Sequence, residues 1–471
     1  MGEGSLPLPP GTPGLPIIGE TLAALRDPFG FVESRVRRHG AIFRTRILGR
    51  ETVVITGPDA AAKFADEADV MRAGAMPGNI ETLFGVRTLP VLDGDEHHAR
   101  KAVLMAGFSH DAVAADLALC RRMVRAALGR WAAAGEVRAV DETRKLAIET
   151  ICAAVMGLEA GPALDAILAD YGRVLRAFSA LPIALPGTAY SRGKRAMRRI
   201  LARWRAEIAR HEAASPPRVD GARLAERSPS REGSGTLSGF PSRDDGLARM
   251  LAAGGAGAAA ALDADALARE IHHVVLAGLI VWAWCTRALL ELDRAPALRA
   301  RLVAEVAALP AEPSLEAMEA APVLSSVVRE VRRISSVVPL SFGKARRAFE
   351  LGGRRVPAGW MVLWAPTASH ARAEIYADPQ RFDPDRFAAP RAEHTRHPHA
   401  FVPNGTGEVV RGHKCVGYLF APALLQVFLV ELARGYDWSI PADQDFGYVW
   451  AETPPPHKDG LRVRFTARPA G

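Results

Sequence analysis

The segment Phe401-Val-Pro-Asn-Gly-Thr-Gly-Glu-Val-Val-Arg-Gly-His-Lys-Cys415-Val-Gly417 constrains this chain more than any other. It sets one cysteine at the end of a glycine-rich loop. The apolar run of residues 418–432 follows directly. A run that apolar reads as a buried helix, so the fold has to be built around it with the cysteine at its entrance. A thiolate there, shielded by Phe401 and facing the backbone N–H groups of Val416 to Tyr418, is suited to hold a haem iron.

The composition allows a large core: 471 residues, 49% apolar and 24% charged, with no sign of general disorder. Cys120, Cys152, Cys285 and Cys415 form no CxxC pair, which argues against a zinc cluster or a disulfide framework. The first three lie in apolar helical patterns and read as small buried hydrophobes. The net charge is +8, but the arginines are scattered along amphipathic helices. That excludes nucleic acid as the expected partner and favours an acidic one. The N-terminus lacks a basic region followed by an apolar one. No window reaches ~18 consecutive apolar residues without charges, the longest candidate being Val274 to Cys285. We expect a monomeric cytoplasmic protein without a transmembrane anchor.

Residues 1–19 form a Pro/Gly leader, and 20–468 read as one large domain, mainly α with a small antiparallel β part. A helix over 29–39 precedes a hairpin, 41–47 and 52–56. Long helical patterns follow to about residue 214. Residues 215–245 are rich in Ser, Pro, Gly and Arg without periodicity, and read as a flexible insertion loop. Asp263 caps a long helix reaching about Leu292. Further helices run to Ser335. A β section covers 348–363, a last helix 421–433, and a terminal strand 461–465.

Glu330 and Arg333 share a helix face at i,i+3, and Arg386 in Phe382-Asp-Pro-Asp-Arg-Phe387 is placed to close a three-way ion network that braces the cysteine loop. With Cys415 in this order, the chain resembles the haem-thiolate cytochrome P-450 superfamily from about Leu6 to the C-terminus. The resemblance implies that fold (α+β), haem b (iron protoporphyrin IX) as cofactor, and Cys415 as its iron ligand. Most members have Phe-x-x-Gly-x-Arg-x-Cys-x-Gly. Here Phe401 stands fourteen residues before Cys415. That longer loop, ending Gly412-His-Lys-Cys415, resembles the fatty-acid peroxygenase branch, as do Leu83-Phe-Gly-Val86 and Asp93-Gly-x-x-His97-x-x-Arg100-Lys101. The leading hinge resembles the retinoid-oxidising branch. By this resemblance Arg100, Lys101 and His413 bind the haem propionates, with Phe401 and Gly417 shaping the cofactor loop. The plainer reading of His97 and His98 is as surface residues at a helix start. Where many members carry a further propionate-binding arginine this chain has Gly343, with Lys344 beside it as a substitute.

The distal helix departs most from the family. Most members carry Ala/Gly-Gly-x-Asp/Glu-Thr there, and the acid and alcohol relay protons. The matching run here is Ala277-Gly278-Leu279-Ile280-Val281-Trp282. Gly278 costs a helix ~1 kcal/mol, which implies a close approach to its backbone, either by the catalytic centre or by a packed helix. Ile280 and Val281 replace the acid and the alcohol, and neither side chain moves a proton. Losing one such group costs about 10²–10⁴-fold. The peroxygenase branch anchors a fatty-acid carboxylate with an arginine in this helix, and residues 271–286 contain none. His273 shares the face of Ile280 and lines a distal pocket if it is more than a core residue. Thr286 lies too far along to replace the alcohol. Val338, Pro339, Leu340 and Phe342 imply an apolar substrate.

The expectation is a haem-thiolate oxidoreductase that inserts oxygen into an apolar lipid-, terpenoid- or polyketide-like molecule. Gly278, Ile280, Val281 and Cys415 mark its catalytic centre. The missing pair leans toward peroxide-dependent or substrate-assisted chemistry. The alternatives are a conventional monooxygenase fed by an acidic ferredoxin- or flavodoxin-type donor, an oxygen-independent hydroperoxide rearrangement, and a non-catalytic haem-binding protein.

Overall fold

The apolar run after Cys415 forms the helix Phe420–Gly435, and twelve of its sixteen residues are buried. The helices His110–Ala134, Trp282–Arg294, Pro296–Ala308 and Pro322–Ile334 pack around it. Phe428 meets the Trp131 ring at 6.1 Å, inside a core of helical side chains that includes Leu425, Leu429 and Leu289. The computed structural model describes residues 6–214, 244–254, 262–335, 337–450 and 452–469. The expected insertion loop at 215–245 falls almost wholly outside the described residues.

A five-stranded sheet stands beside the helices, in the order Ile42–Ile47, Arg50–Ile55, Met361–Trp364, Ser341–Ala345, Val70–Met71. Leu48 and Gly49 join the first two strands with φ of 51° and 74°, the left-handed pair that a two-residue hairpin turn requires. Arg50–Ile55 runs parallel to Met361–Trp364, so the sheet is mixed where an antiparallel one was expected. Parallel neighbours need a long crossover, and most of the helical body supplies it. The leader lies along the first strand: Arg44 N–H donates to Pro10 O at 2.8 Å. Its prolines and glycines cover an edge that would otherwise be open to pairing.

The expected long helix after Asp263 is two helices, Ala264–Leu279 and Trp282–Arg294. Asp263 does cap it, accepting from Ala266 N–H at 2.6 Å. The chain tightens at the junction: Val281, Ala283 and Trp284 donate to Gly278, Ile280 and Val281, each three residues back. Among the described residues this helical stretch is long and apolar enough to cross a membrane, as is the bent pair Gly94–Ala106 and His110–Ala134 if taken as one span, and 67% of the stretch's most apolar window is buried in the protein.

Candidate active site

The loop before the buried helix holds Cys415 by its backbone. Cys415 N–H donates to Asn404 O at 2.9 Å, and the Arg332 guanidinium donates to the Asn404 side chain. Gly405 and Gly407 turn the loop with φ of 86° and 100°. The Phe401 ring stacks on His370 at 5.8 Å and meets Phe387 edge-on at 5.3 Å. Cys415 is the one exposed cysteine of the four. Even so, burial pushes its thiol pKa up, against the opposing pull of the Gly417 N–H and the Lys101 charge. A Cβ on Gly417 would stand 3.9 Å from Sγ, in ordinary contact with it.

Beside the thiol is a polar corner. The helix Gly94–Ala106 carries Lys101, fully buried, whose ammonium donates to Gly412 O and Lys414 O. Burial lowers its pKa to about 8 despite the attraction of Cys415. One turn earlier, His97 is 1% exposed and neither ring nitrogen has a partner. Its ring lies 4.0 Å from that of His413. Burial, reinforced by His413 and Lys101, holds His97 near a pKa of about 3. Asp93 stands 3.6 Å from His413 Nε2. Burial works against the Asp93 carboxylate, but His413 and the N–H groups of Ala73 and Arg72 outweigh it and hold its pKa below the usual range.

Arg100 does not join this corner. Its guanidinium donates to Glu96 at 2.8 Å, to the buried Glu270 at 3.2 Å and to Arg87 O. Glu270 carries no exposure and needs a cation, so it claims Arg100 for the distal helix. Arg100 thus lies with Glu96 and Glu270 and not with Lys101, and the buried His97 stands where a surface residue was expected. A sequence signal for both existed: Glu96 and Arg100 form an i,i+4 ion pair, and His97 and Lys101 share the next face. Lys344 lies on a strand whose opposite face bears Gly343.

Under the loop, Glu330 receives Arg333 through two bonds of 2.7 and 2.8 Å. It also receives Arg386 at 3.1 Å and Asp383 N–H at 2.9 Å. Arg386 continues to Glu393 at 2.7 Å, and Arg333 to His370 O at 3.0 Å. His370 Nε2 in turn accepts from Val402 N–H at 2.9 Å. The network thus reaches the cysteine loop one residue past Phe401.

The sequence matches the model of the cytochrome P450 family over residues 9–447. The chain belongs to the cytochrome P450 family. Cytochrome P450 26A1 of Gallus gallus is 29% identical over 92% of this chain and 86% of its own length. Abscisic acid 8'-hydroxylase 2 of Arabidopsis thaliana is 27% identical over 98% and 91%. The structure of retinoic acid-bound cyanobacterial CYP120A1 superposes with a TM-score of 0.85, at 27% identity, over 98% of this chain and all of that one. The protein is accordingly a haem-thiolate oxidoreductase of the monooxygenase type.

This P450 meets its cofactor with fitting chemistry. Haem needs a thiolate and a site for two carboxylates, and the chain offers an accessible thiol beside a cationic corner. Glu67, His97 and His413 place one ligand atom each within 4.8 Å of one another. Burial above all, helped by Lys101 at His97 and by Arg72 at His413, disfavours protonation of the two imidazoles, against the pull of Asp93.

On the distal helix of this P450 the accessible residues include His273, Ala277 and Ile280, one stripe at i, i+4 and i+7. Gly278 faces elsewhere: a Cβ there would meet Ile151 at 2.6 Å. At Gly278 the chain packs closely on the helix Ala139–Met156. Val281 is likewise 3% exposed and closed into the main core, so of the pair Ile280 alone keeps accessible surface. Thr286 is occupied by Trp282 O at 2.9 Å and Thr143 at 3.0 Å.

Proposed function

We propose that this P450 hydroxylates an apolar isoprenoid carboxylic acid, with Cys415 as the iron ligand and the substrate's own carboxylate serving where the distal acid and alcohol are missing. The observation that carries this reading is the helix junction at Gly278–Val281, where Ile280 offers only hydrocarbon and Val281 is sealed in the core. Two relatives of similar identity have an isoprenoid acid in their names, retinoic acid in one and abscisic acid in the other.

Bound haem with a thiolate ligand supplies oxygen-atom transfer to a C–H bond, written R–H + H₂O₂ → R–OH + H₂O with peroxide as oxidant. The chain's residues do the rest. Gly417 N–H and Lys101 favour the thiolate form of Cys415 against the burial that opposes it. Lys101, His97 and His413 take the cofactor's carboxylates. Ala277 and Ile280 exclude water and contribute no proton. A carboxylic acid next to the reacting oxygen restores general acid–base catalysis, a factor of about 10²–10⁴.

A second reading, electrons from an acidic donor protein, is favoured by one observation. A cleft of about 340 Å³ behind the cysteine loop is lined by Arg329, Arg332 and Lys414. The deciding experiment compares all-trans-retinoic acid with its methyl ester, each driven by hydrogen peroxide and by a ferredoxin–reductase pair. The acid should turn over with peroxide at least about tenfold faster than the ester. Equal rates for acid and ester would remove the substrate carboxylate from the mechanism.

A further inference from the structure

The short strand Val70–Met71 pairs antiparallel with Ser341–Ala345, matching Val70 to Ala345 and Met71 to Lys344. The next pair in that register is Arg72 and Gly343. Directly opposed residues of an antiparallel pair put their side chains on one face. Gly343 has no side chain to put there, and it has no room for one: a Cβ would meet Val70 at 2.5 Å and the Phe64 ring at 2.8 Å. Arg72 fills the space instead, with Nη1 3.4 Å from that Cβ position.

Arg72 is 5% exposed. Its guanidinium lies 3.8 Å over the Phe64 ring, and Nη2 donates to Phe64 O at 2.8 Å. Nη1 is buried with no partner. An unpaired buried guanidinium N–H is costly, and an anion would relieve it. The polar corner is adjacent: Asp93 accepts from Arg72 N–H at 2.9 Å and stands 3.6 Å from His413. Asp93 is already engaged by these backbone donors, so it leaves Nη1 free.

We propose that Arg72 is a haem-propionate ligand, a cross-strand replacement for the side chain absent at Gly343, and that it completes the corner formed by Lys101, His97 and His413. Haem carries the carboxylates that Nη1 lacks, and a guanidinium pairs with a carboxylate more strongly than a neutral donor does. This rests on haem binding, not on the substrate or the oxidant.

The test uses the full-length cofactor-free protein, protohaem and haem dimethyl ester, whose propionates are esterified. Arg72→Met should weaken protohaem binding about ten- to hundredfold and leave haem dimethyl ester binding within about twofold of wild type. Arg72→Lys, which keeps the charge, should retain a preference for protohaem over the ester. Loss of both haems in equal measure in Arg72→Met would make Arg72 a brace for the strand and overturn the proposal, as would unchanged protohaem affinity. If Arg72→Met fails to fold, Arg72→Lys decides: no preference between the two haems in that variant, where wild type shows one, overturns the pairing with a propionate.

Discussion

Cys415 differs from the other three cysteines in its surroundings more than in its neighbours along the chain. Burial pushes Cys120 and Cys285 up to about 12 and raises Cys152 as well, so those thiols stay protonated and inert. Cys415 alone combines access with a donated N–H and a nearby ammonium. Cys415→Ser should abolish the thiolate band in the reduced carbon-monoxide difference spectrum, and Cys285→Ser should keep it; a persistent band in Cys415→Ser would reassign the ligand. Two buried imidazoles away from the corner make folding sensitive to acid. Burial lowers His370 to about 3 and His272 to about 4, and His370 Nε2 must be unprotonated to accept from Val402 N–H. The unfolded chain binds protons from about pH 6.5 downward, so stability is full above that value and falls as the pH drops toward 4. Each imidazole approaches about 1.4 kcal/mol per pH unit. The urea midpoint should drop between pH 7 and pH 5, and a midpoint unchanged over that range would contradict both assignments. At this scale the sequence grouped Arg100 with Lys101 and put His97 at the surface, whereas the fold pairs Arg100 with Glu96 and Glu270 and buries His97 against His413, because position around the helix decides which partner a side chain meets.

Between elements, the strongest joint is the buried network of Glu330, Arg333 and Arg386, all 0–1% exposed. It ties the helix Pro322–Ile334 to the loop of residues 381–393 and, through His370, to the cysteine loop. Removing one member leaves an uncompensated buried charge, which costs about 3–5 kcal/mol. Arg386→Met should therefore lower unfolding free energy by about that amount and accelerate haem loss; a change under about 1 kcal/mol would show that the network does not carry the loop. The helix Phe420–Gly435 was legible because its apolar residues run on all sides. The break at Ile280-Val281 was not, since nothing in Ala277-Gly278-Leu279-Ile280 forbids a continuous helix. The strand Ser341–Ala345 was also missed: its apolar residues read as pocket lining, and only its pairing with Met361–Trp364 makes it a strand.

The whole molecule carries a net charge of +8, and a basic surface attracts an acidic partner over roughly a Debye length, about 10 Å at 0.1 M salt. Turnover driven by an acidic ferredoxin should fall several-fold between 0.05 and 0.3 M salt, roughly the range over which steering is screened. Turnover driven by peroxide should hardly change, because peroxide is neutral. A flat salt response in the ferredoxin assay would show that surface charge does not guide the donor. From its residues alone this chain determined its family, its cofactor and the cysteine loop, because those depend on local patterns: a motif, a helical period, a spacing. Tertiary structure decided which side chains complete the corner. Arg72 meets Gly343 only through strand register, and Arg100 turns to Glu270 only because the fold brings that carboxylate within 3.2 Å. Such contacts join segments far apart in the chain, and the physical cause is packing: a buried charge takes whichever partner the fold brings within reach.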